Sequence, residues 1–438
     1  MAESKTVAAP RRRIAADGIL PRARRWLRVL GPGLITGASD DDPSGISTYS
    51  VAGATTGYSM LWLALVTTPM MSVVQGMSAR IGLVTGAGLM VAIRKACPLW
   101  LAYTLAFIVV VANTFNVGAD IAGMAASARL VWHLPMLFWV VFFGIVLLVA
   151  QVAFPYRVMA NVLKWLTLSL FAYVITAFVV HPRWTEVLAH LVRPEVHFSA
   201  SWLTTAVGVL GTTITPYLFF WQSNLEVEEE KAAGRKTLAQ RRGATATEIA
   251  ESRLDVNVGM IFSNLVMFFI IVTCAATLFA NHKEIQTAQD AAEALRPLAG
   301  DFAYLLFTLG MVGTGLLGVP ALACSSAFIV GQLFAFRRMG LDEPPTGAPR
   351  FYGVIVAGVV IGIVMNFIHV DPIKALFWSA VLNGVAAVPL LVVMTVIANK
   401  RSVMGKWTNT PLANAWAGLT IVLMTAAAAG MFVFWGRQ

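Results

Sequence analysis

Polar punctuation divides the chain into eleven apolar segments, running roughly 30–51, 59–83, 98–119, 134–153, 157–180, 200–225, 256–280, 302–335, 351–368, 371–398 and 411–435. Most are close to the roughly 20 residues a helix needs to cross the hydrocarbon core. In lipid every backbone N–H and C=O must find its partner inside the protein, which restricts spanning segments of this length to helices. Composition agrees: 58% of the 438 residues are hydrophobic and only 12% are charged, against about 25% charged in a soluble domain. The expectation is an all-α polytopic membrane protein. The 302–335 segment is long and is expected to tilt or to extend past the bilayer. No soluble domain is inserted between the segments, and the longest polar stretch after the N-terminal arm, about 226–255, is rich in Glu, Lys and Arg.

Basic residues set the orientation. With the N-terminus in the cytoplasm and the segments alternating, 25 of the 32 Lys and Arg residues fall on the inner side and 7 on the outer side. The expected topology is therefore a cytoplasmic N-terminus and, after eleven spans, an extracytoplasmic C-terminus in the cell inner (plasma) membrane. The first 29 residues read as a basic cytoplasmic arm; they lack the apolar core and small-residue cleavage site of a signal peptide. The net charge of +10 is then a topology signal, with attraction to anionic lipid secondary and no nucleic-acid partner. Cys97, Cys274 and Cys324 have no ligand-like spacing and read as small buried residues. The expected state is a monomer in the bilayer, with no enzymatic activity and no resident cofactor.

Two of the segments are interrupted. The first contains "ASDDDPSGIS", residues 38–47, with three consecutive carboxylates, Asp40, Asp41 and Asp42, ahead of Pro43 and Gly45. The sixth contains "GTTITPYLFFWQSN", with Pro216 preceded by Thr212, Thr213, Ile214 and Thr215. A proline break frees carbonyls and amides at mid-depth, and such a break persists only where it is buried in protein or lines a cavity. Interruptions in the first and sixth segments hold corresponding positions in two five-helix halves, which is the pattern of an inverted-repeat transporter with its substrate site between them. The halves are expected over 30–181 and 200–398, joined by an extracellular loop at 182–199 and followed by a cytoplasmic loop and an eleventh span over 399–438. An intramembrane aspartate points to function because its burial costs roughly 2.5–3.5 kcal/mol on insertion scales. Asp42, beside Pro43, is best placed at the break; Asp40 and Asp41 are expected to pair in part or to face water.

These residues resemble the Nramp (natural resistance-associated macrophage protein) family of divalent-metal transporters across most of the chain. "GPGLITGASDDDPSG" is similar to the family's first helix with its Asp-Pro-Gly-Asn, "QGMSARIGLVTG" to the end of its second, and "GTTITPYLFFWQSNL" to its sixth with Met-Pro-His. "RLDVNVGMIFSN" resembles the start of the seventh helix and "VLNGVAAVP" the tenth. The resemblance implies a LeuT-type inverted repeat of five plus five helices, an eleventh helix, and a cation site between broken helices 1 and 6. It also implies that Asp42 is the metal-binding aspartate. This sequence departs from the family's pattern at several positions: Gly45 stands for the asparagine, Thr215 for the methionine, Tyr217 and Gln222 for two histidines, and Ala380 for a glutamine of the tenth helix.

A thioether favours soft transition metals, whereas hydroxyl, carboxylate and carbonyl oxygens suit Mg²⁺ and Mn²⁺. The expected ligands are Asp42, Thr215, the backbone at Thr212 and a roomier space at Gly45 and Ala380. Mg²⁺ keeps several waters and takes only one or two carboxylates. The pattern looks like the Nramp-related magnesium transporter branch, with Mg²⁺ favoured and Mn²⁺ competing. Loss of both imidazoles, with tyrosine an ineffective proton relay near neutral pH, points to transport without proton coupling. On the third helix Asn116 and Asp120 stand for acidic residues of the family; Asp120 is open to a relay role or to a packing hydrogen bond with a Ser, Thr or Asn. Tyr217, Asp120, Asp40, Asp41 and Ala380 are further candidate pathway residues.

Other features weigh less. The six histidines, His369 among them, lie mostly at segment ends with no HxxxH pair. "EVEEEK", 226–231, reads as a solvated helix end or as a cation-concentrating inner mouth. The glycines of "GMVGTGLLGVP", 310–320, read as close helix packing, and Trp62, Trp100, Trp202, Trp407 and Trp416 as interface anchors. The rival readings are a proton-coupled Mn²⁺ or transition-metal transporter of Nramp type, a LeuT-fold sodium-coupled symporter of an organic solute, and a sensor that kept the fold.

Overall fold

The structure, a computed structural model, describes residues 31–153, 166–368 and 370–435. The basic arm, the beginning of the 157–180 segment, His369 and Arg437 lie outside the described residues. Among those described, all regular structure is helical. Nine helical stretches are long and apolar enough to cross a membrane. The other two expected spans are the first, which is split into two short helices, and the fifth, which is described only from Leu166 onward.

The first span comprises α1 (Pro32–Asp40) and α2 (Pro43–Thr56), followed by α3 (Leu61–Thr85). A short helix α4 (Leu89–Ala96) precedes α5 (Leu99–Val131), α6 (Met136–Ala153) and α7 (Phe171–Val179). After α8 (Trp184–Val192), the sixth span is again split, into α9 (Ala200–Thr213) and α10 (Pro216–Ala232). The chain continues through α11 (Ala246–Thr277), α12 (Ala303–Leu333), α13 (Pro349–Met365), α14 (Pro372–Asn399) and α15 (Pro411–Trp435).

Two boundaries differ from expectation. Helix α5 continues to Val131 rather than ending near 119, and α11 begins at Ala246, about ten residues before its apolar segment. The second shift has a local cause: Thr245 and Glu248 form a reciprocal capping box that starts the helix in polar sequence. Most of the polar 226–255 stretch is thereby divided between the end of α10 and the start of α11. Trp202 also departs from its expected role, since it is buried and donates from Nε1 to Ser59 Oγ at 3.3 Å.

Helices α9 and α10 lie at the centre with nearly every side chain buried, while α13 leaves Val360, Ile361 and Val364 exposed. Apolar exposure of this kind faces lipid, so helix association depends on close packing rather than on expulsion of water. Glycines provide the closest crossings. A Cβ added at Gly211 of α9 would lie 2.1 Å from the Ala380 carbonyl oxygen and 2.4 Å from the Gly384 nitrogen of α14. Backbone atoms cannot rotate away, so Gly211→Ala is expected to destabilise by about 1–3 kcal/mol, read as a lower unfolding midpoint in detergent. Gly358→Ala is the control, because a Cβ there meets nothing within 4 Å. Equal midpoints for the two variants would reject this account of the packing.

Candidate cation site at the paired helix breaks

Both breaks use the same local grammar. Proline opens the second half-helix, where its missing N–H costs nothing, and it holds the preceding residue extended. In the first span that residue is Asp42 (φ −69°, ψ 174°), with Asp41 ending α1. In the sixth it is Thr215 (φ −95°, ψ 137°), with Ile214 ending α9. Asp42 and Thr215 thus hold equivalent N-cap positions. The C-terminal ends of α1 and α9 leave carbonyl oxygens without helical partners at this depth, a polarity that favours a cation.

Asp42 is buried, and all its hydrogen bonds are local to the break. Oδ1 accepts from Ser44 Oγ at 2.6 Å and from the Gly45 amide at 2.9 Å, which caps α2. Oδ2 accepts from Asn116 Nδ2 of α5 and from the Tyr217 hydroxyl of α10, each at 3.2 Å. The first pair fixes the carboxylate; the second is at the long end of the normal range and leaves Oδ2 the oxygen more readily given to another partner. The single Tyr217 proton is shared between Asp42 and the Ser39 carbonyl, the latter nearer at 2.7 Å, which ties the two breaks together. Behind the aspartate, a Cβ at Gly318 of α12 would lie 2.8 Å from Asp42 Cβ, and one at Gly315 would lie 3.2 Å from Pro43 Cγ. The glycine run read as helix packing therefore packs against the break itself.

Asp40 and Asp41 are also buried, so neither faces water. Ser263 of α11 donates to Asp40 Oδ2 and approaches Asp41 Oδ1 at 3.3 Å, while Asp40 Oδ1 and Asp41 Oδ2 have no hydrogen-bond partner. Asp120 is buried on α5, one turn from Asn116. Of its two readings, relay or packing, neither is decided: no Ser, Thr or Asn side chain bonds it, and the group beside it is a serine backbone amide. Its carboxylate lies by the Ser44 amide, and neither oxygen has a partner in hydrogen-bond geometry. Among the described residues none of these four carboxylates is in an ion pair.

The remaining expected residues gather at the same place. A Cβ built on Gly45 would be 3.3 Å from Thr212 Oγ1, 3.3 Å from the Asp40 carbonyl oxygen and 3.5 Å from the Tyr49 ring. Thr215 Oγ1 is buried without a partner. Ala380 is buried, with its carbonyl against Gly211, one residue before Thr212. Sequence reasoning missed Ser44, Ser263 and Gly318. The signal for Ser44 lay in its place two residues after an N-cap aspartate, and Gly318 belongs to the glycine run already read as close packing; for Ser263 no local signal exists. The glutamate run is not a solvated helix end: Glu226, Glu228 and Glu230 are buried. Glu226 accepts from Gln222 at 3.0 Å and Ser252 at 2.7 Å, Glu228 from Lys231 at 2.8 Å, and Glu230 from Arg235 at 3.2 Å.

Known proteins share this architecture. A variant of the Eremococcus coleocola manganese transporter superposes with a TM-score of 0.70 at 17% identity, over 95% of this chain and 88% of that one. Mhp1, a nucleobase-cation-symport-1 family transporter, superposes at 0.59 and 12% identity, over 92% and 90%. The fold is the LeuT-type inverted repeat with helices 1 and 6 broken. In sequence, the chain is 27% identical over 407 residues to the divalent metal cation transporter MntH of Acidiphilium cryptum, covering 90% of this chain and 88% of the relative. It is 23% identical over 422 residues to the protein of that name from Caldanaerobacter subterraneus, covering 94% and 93%. The model of the family described as natural resistance-associated macrophage protein-like matches residues 33–434. A match over nearly the whole chain, broken helices included, makes this protein a member of the Nramp family.

Proposed function

We propose that this protein carries divalent cations across a membrane by alternating access, binding them between the two helix breaks, with Mg²⁺ favoured and Mn²⁺ competing. The observation that carries the reading is the buried Asp42 carboxylate beside two half-helix C-termini, in a cluster whose carboxylates have no cationic partner among the described residues. A divalent cation bound through Asp42 Oδ2 supplies that partner; it displaces the two long hydrogen bonds from Asn116 and Tyr217 and leaves the α2 cap intact. Thr215 Oγ1 and carbonyls near Thr212 complete an oxygen-lined setting, against which Gly45 and Ala380 pack without side-chain bulk. Among the described residues no three His, Cys, Asp or Glu side chains converge as a metal cage, so a bound cation retains water. That suits Mg²⁺, which dehydrates reluctantly. The relatives named as divalent metal cation transporters support cation transport in general. The N-terminus is assigned to the cytoplasm and the C-terminus to the outside, with repeats over 30–181 and 200–398.

Proteoliposomes give the test. Wild-type protein is expected to take up Mg²⁺ and Mn²⁺, and Asp42→Ala is expected to abolish uptake while retaining the native elution profile and melting behaviour. Asp40→Asn and Asp41→Asn are expected to act more mildly. Undiminished uptake by Asp42→Ala would remove the proposed site.

Transport is proposed to be uncoupled from protons, because Tyr217 and Gln222 occupy the two imidazole positions. Uptake is expected to follow an imposed potential, each elementary charge being worth about 2.3 kcal/mol per 100 mV, with no acidification of the lumen. A second reading, a proton-coupled manganese transporter, is favoured by one observation: Asp120 is buried with only the Ser44 amide beside it and no side-chain hydrogen-bond partner. A lumenal pH dye that responds in proportion to cation entry, and loses its response in Asp120→Asn, would establish that reading instead.

Selectivity is proposed to rest on Thr215 and Gly45. Thr215→Met with Gly45→Asn is expected to raise Cd²⁺ and Mn²⁺ uptake relative to Mg²⁺ several-fold, since a thioether and an amide then flank Asp42. Gly45 is not in the left-handed region, and its nearest neighbours leave a Cβ tight but tolerable contacts. An unchanged Mg²⁺ to Cd²⁺ ratio in a folded double variant would place selectivity elsewhere.

A further inference from the structure

Half-helix α1 is nine residues long and ends at the cation site. Its N-terminus has no side-chain cap of its own, since the N-cap is Gly31 and Pro32 follows. The cap comes from another helix. Asp255, buried on α11, accepts from the Gly31 amide at 2.9 Å and the Leu34 amide at 3.1 Å through Oδ1, and from the Gly33 amide at 2.7 Å through Oδ2. Three amides held by one carboxylate satisfy most of the free donors that a helix start presents, and a negative charge suits that end of the helix dipole.

Asp255 belongs to a stripe at helical spacing, Asp255, Gly259 and Ser263, which runs along α1 from end to end. A Cβ on Gly259 would lie 2.1 Å from the Gly33 carbonyl oxygen, and one on Gly37 would lie 2.3 Å from the Gly259 carbonyl oxygen. Ser263 donates to Asp40 at the far end. On the face of α1 away from α11, Pro32 and Ile35 border a cavity of about 360 Å³, shared with Leu225, Glu228 and Leu341. The half-helix is therefore seated along α11 and tied to α10 at its C-terminal end, while the cavity leaves room beside its N-terminal end.

We infer that Asp255 is a positioning residue, a latch that holds α1 against α11 and thereby closes the cation site on the side of the membrane that carries residues 233–245. Asp42 is buried, so a cation can leave only if a wall moves. Helix α1 is the shortest wall and is hinged at the non-helical Asp41–Asp42 link. A nine-residue helix is roughly 13 Å long, so a pivot at that hinge displaces its N-terminal end most. The side-chain bonds holding that end, among the described residues, are those to Asp255. Asp255 lies about ten residues into α11 from the 233–245 connection, which sets the side that opens. The cation exit rests on the proposed transport function; the latch rests on the geometry alone.

The test reads access to a thiol without any cation. In a Cys97→Ser background, Ser39→Cys places a reporter on the buried last turn of α1. Asp255→Ala is expected to raise its alkylation by an impermeant thiol reagent about tenfold, equivalent to about 1.4 kcal/mol. The rise is expected only when reagent is applied from the side of residues 233–245. Asp255→Asn, which keeps an acceptor but loses the charge, is expected to fall between parent and Asp255→Ala, and the Gly259→Ala wedge is expected to raise the rate from the same side. A parent-like rate in natively eluting Asp255→Ala would overturn the latch, as would an equal rise from both sides. If Asp255→Ala does not fold, a parent-like rate in Asp255→Asn overturns it. Absent Mg²⁺ and Mn²⁺ uptake by the wild type would defeat the transport reading and leave these labelling outcomes standing.

Discussion

Everything at the centre of this molecule follows from the obligation to satisfy backbone hydrogen bonds in lipid. A proline after Asp42 and another after Thr215 each remove a helical bond and leave nearby carbonyls exposed. Those groups are tolerable only when protein surrounds them, and α2, α9 and α10 are accordingly among the most buried elements described. The breaks thus dictate the packing around them. Gly318 must lack a side chain so that α12 can stand behind Asp42, and Gly211 must lack one so that α14 can stand behind the second break.

The same obligation explains the arrangement of charge. A buried unpaired carboxylate is costly, and removing one member of a pair is more costly still. Asp42 is held at its Oδ1 by the cap of its own helix, with weaker bonds at Oδ2. Asp40 and Asp41 lean on one serine hydroxyl, which has a single proton to donate. The cluster is left short of positive charge, and a cation is the natural complement. Asp255 differs: it is surrounded by amides and is structurally satisfied. Carboxylates at similar burial therefore differ: Asp255 and the Oδ1 of Asp42 are satisfied by helix amides, whereas Asp40 Oδ1 and Asp41 Oδ2 have no hydrogen-bond partner.

The phenol at the second break does more than line it. Tyr217 bonds both Asp42 and the Ser39 carbonyl, so it braces α1 against α10 as well as contacting the site. In the same way Asn116 donates to Asp42 from α5, where a carboxylate would repel it. Tyr217 and Asn116 both reach Asp42 Oδ2 and hold the carboxylate in place.

The sequence by itself determined the fold class, the spans to within a turn or so at most ends, the two breaks, and the placement of Asp42 and Thr215 at them. These are properties of local pattern: hydropathy, proline and the residues beside it. It also singled out Gly45, Thr212, Tyr217 and Ala380, which the fold brings to the breaks. Tertiary structure alone decided which groups meet across the chain. Ser263 and Asp255 lie more than two hundred residues from the atoms they bond, and nothing in their own surroundings marks them. The burial of Glu226, Glu228 and Glu230 was equally illegible, because a charge run reads as solvated until Ser252, Lys231 and Arg235 are seen to close over it. The reason is common to all three cases: a helix face has no character until another helix is packed upon it.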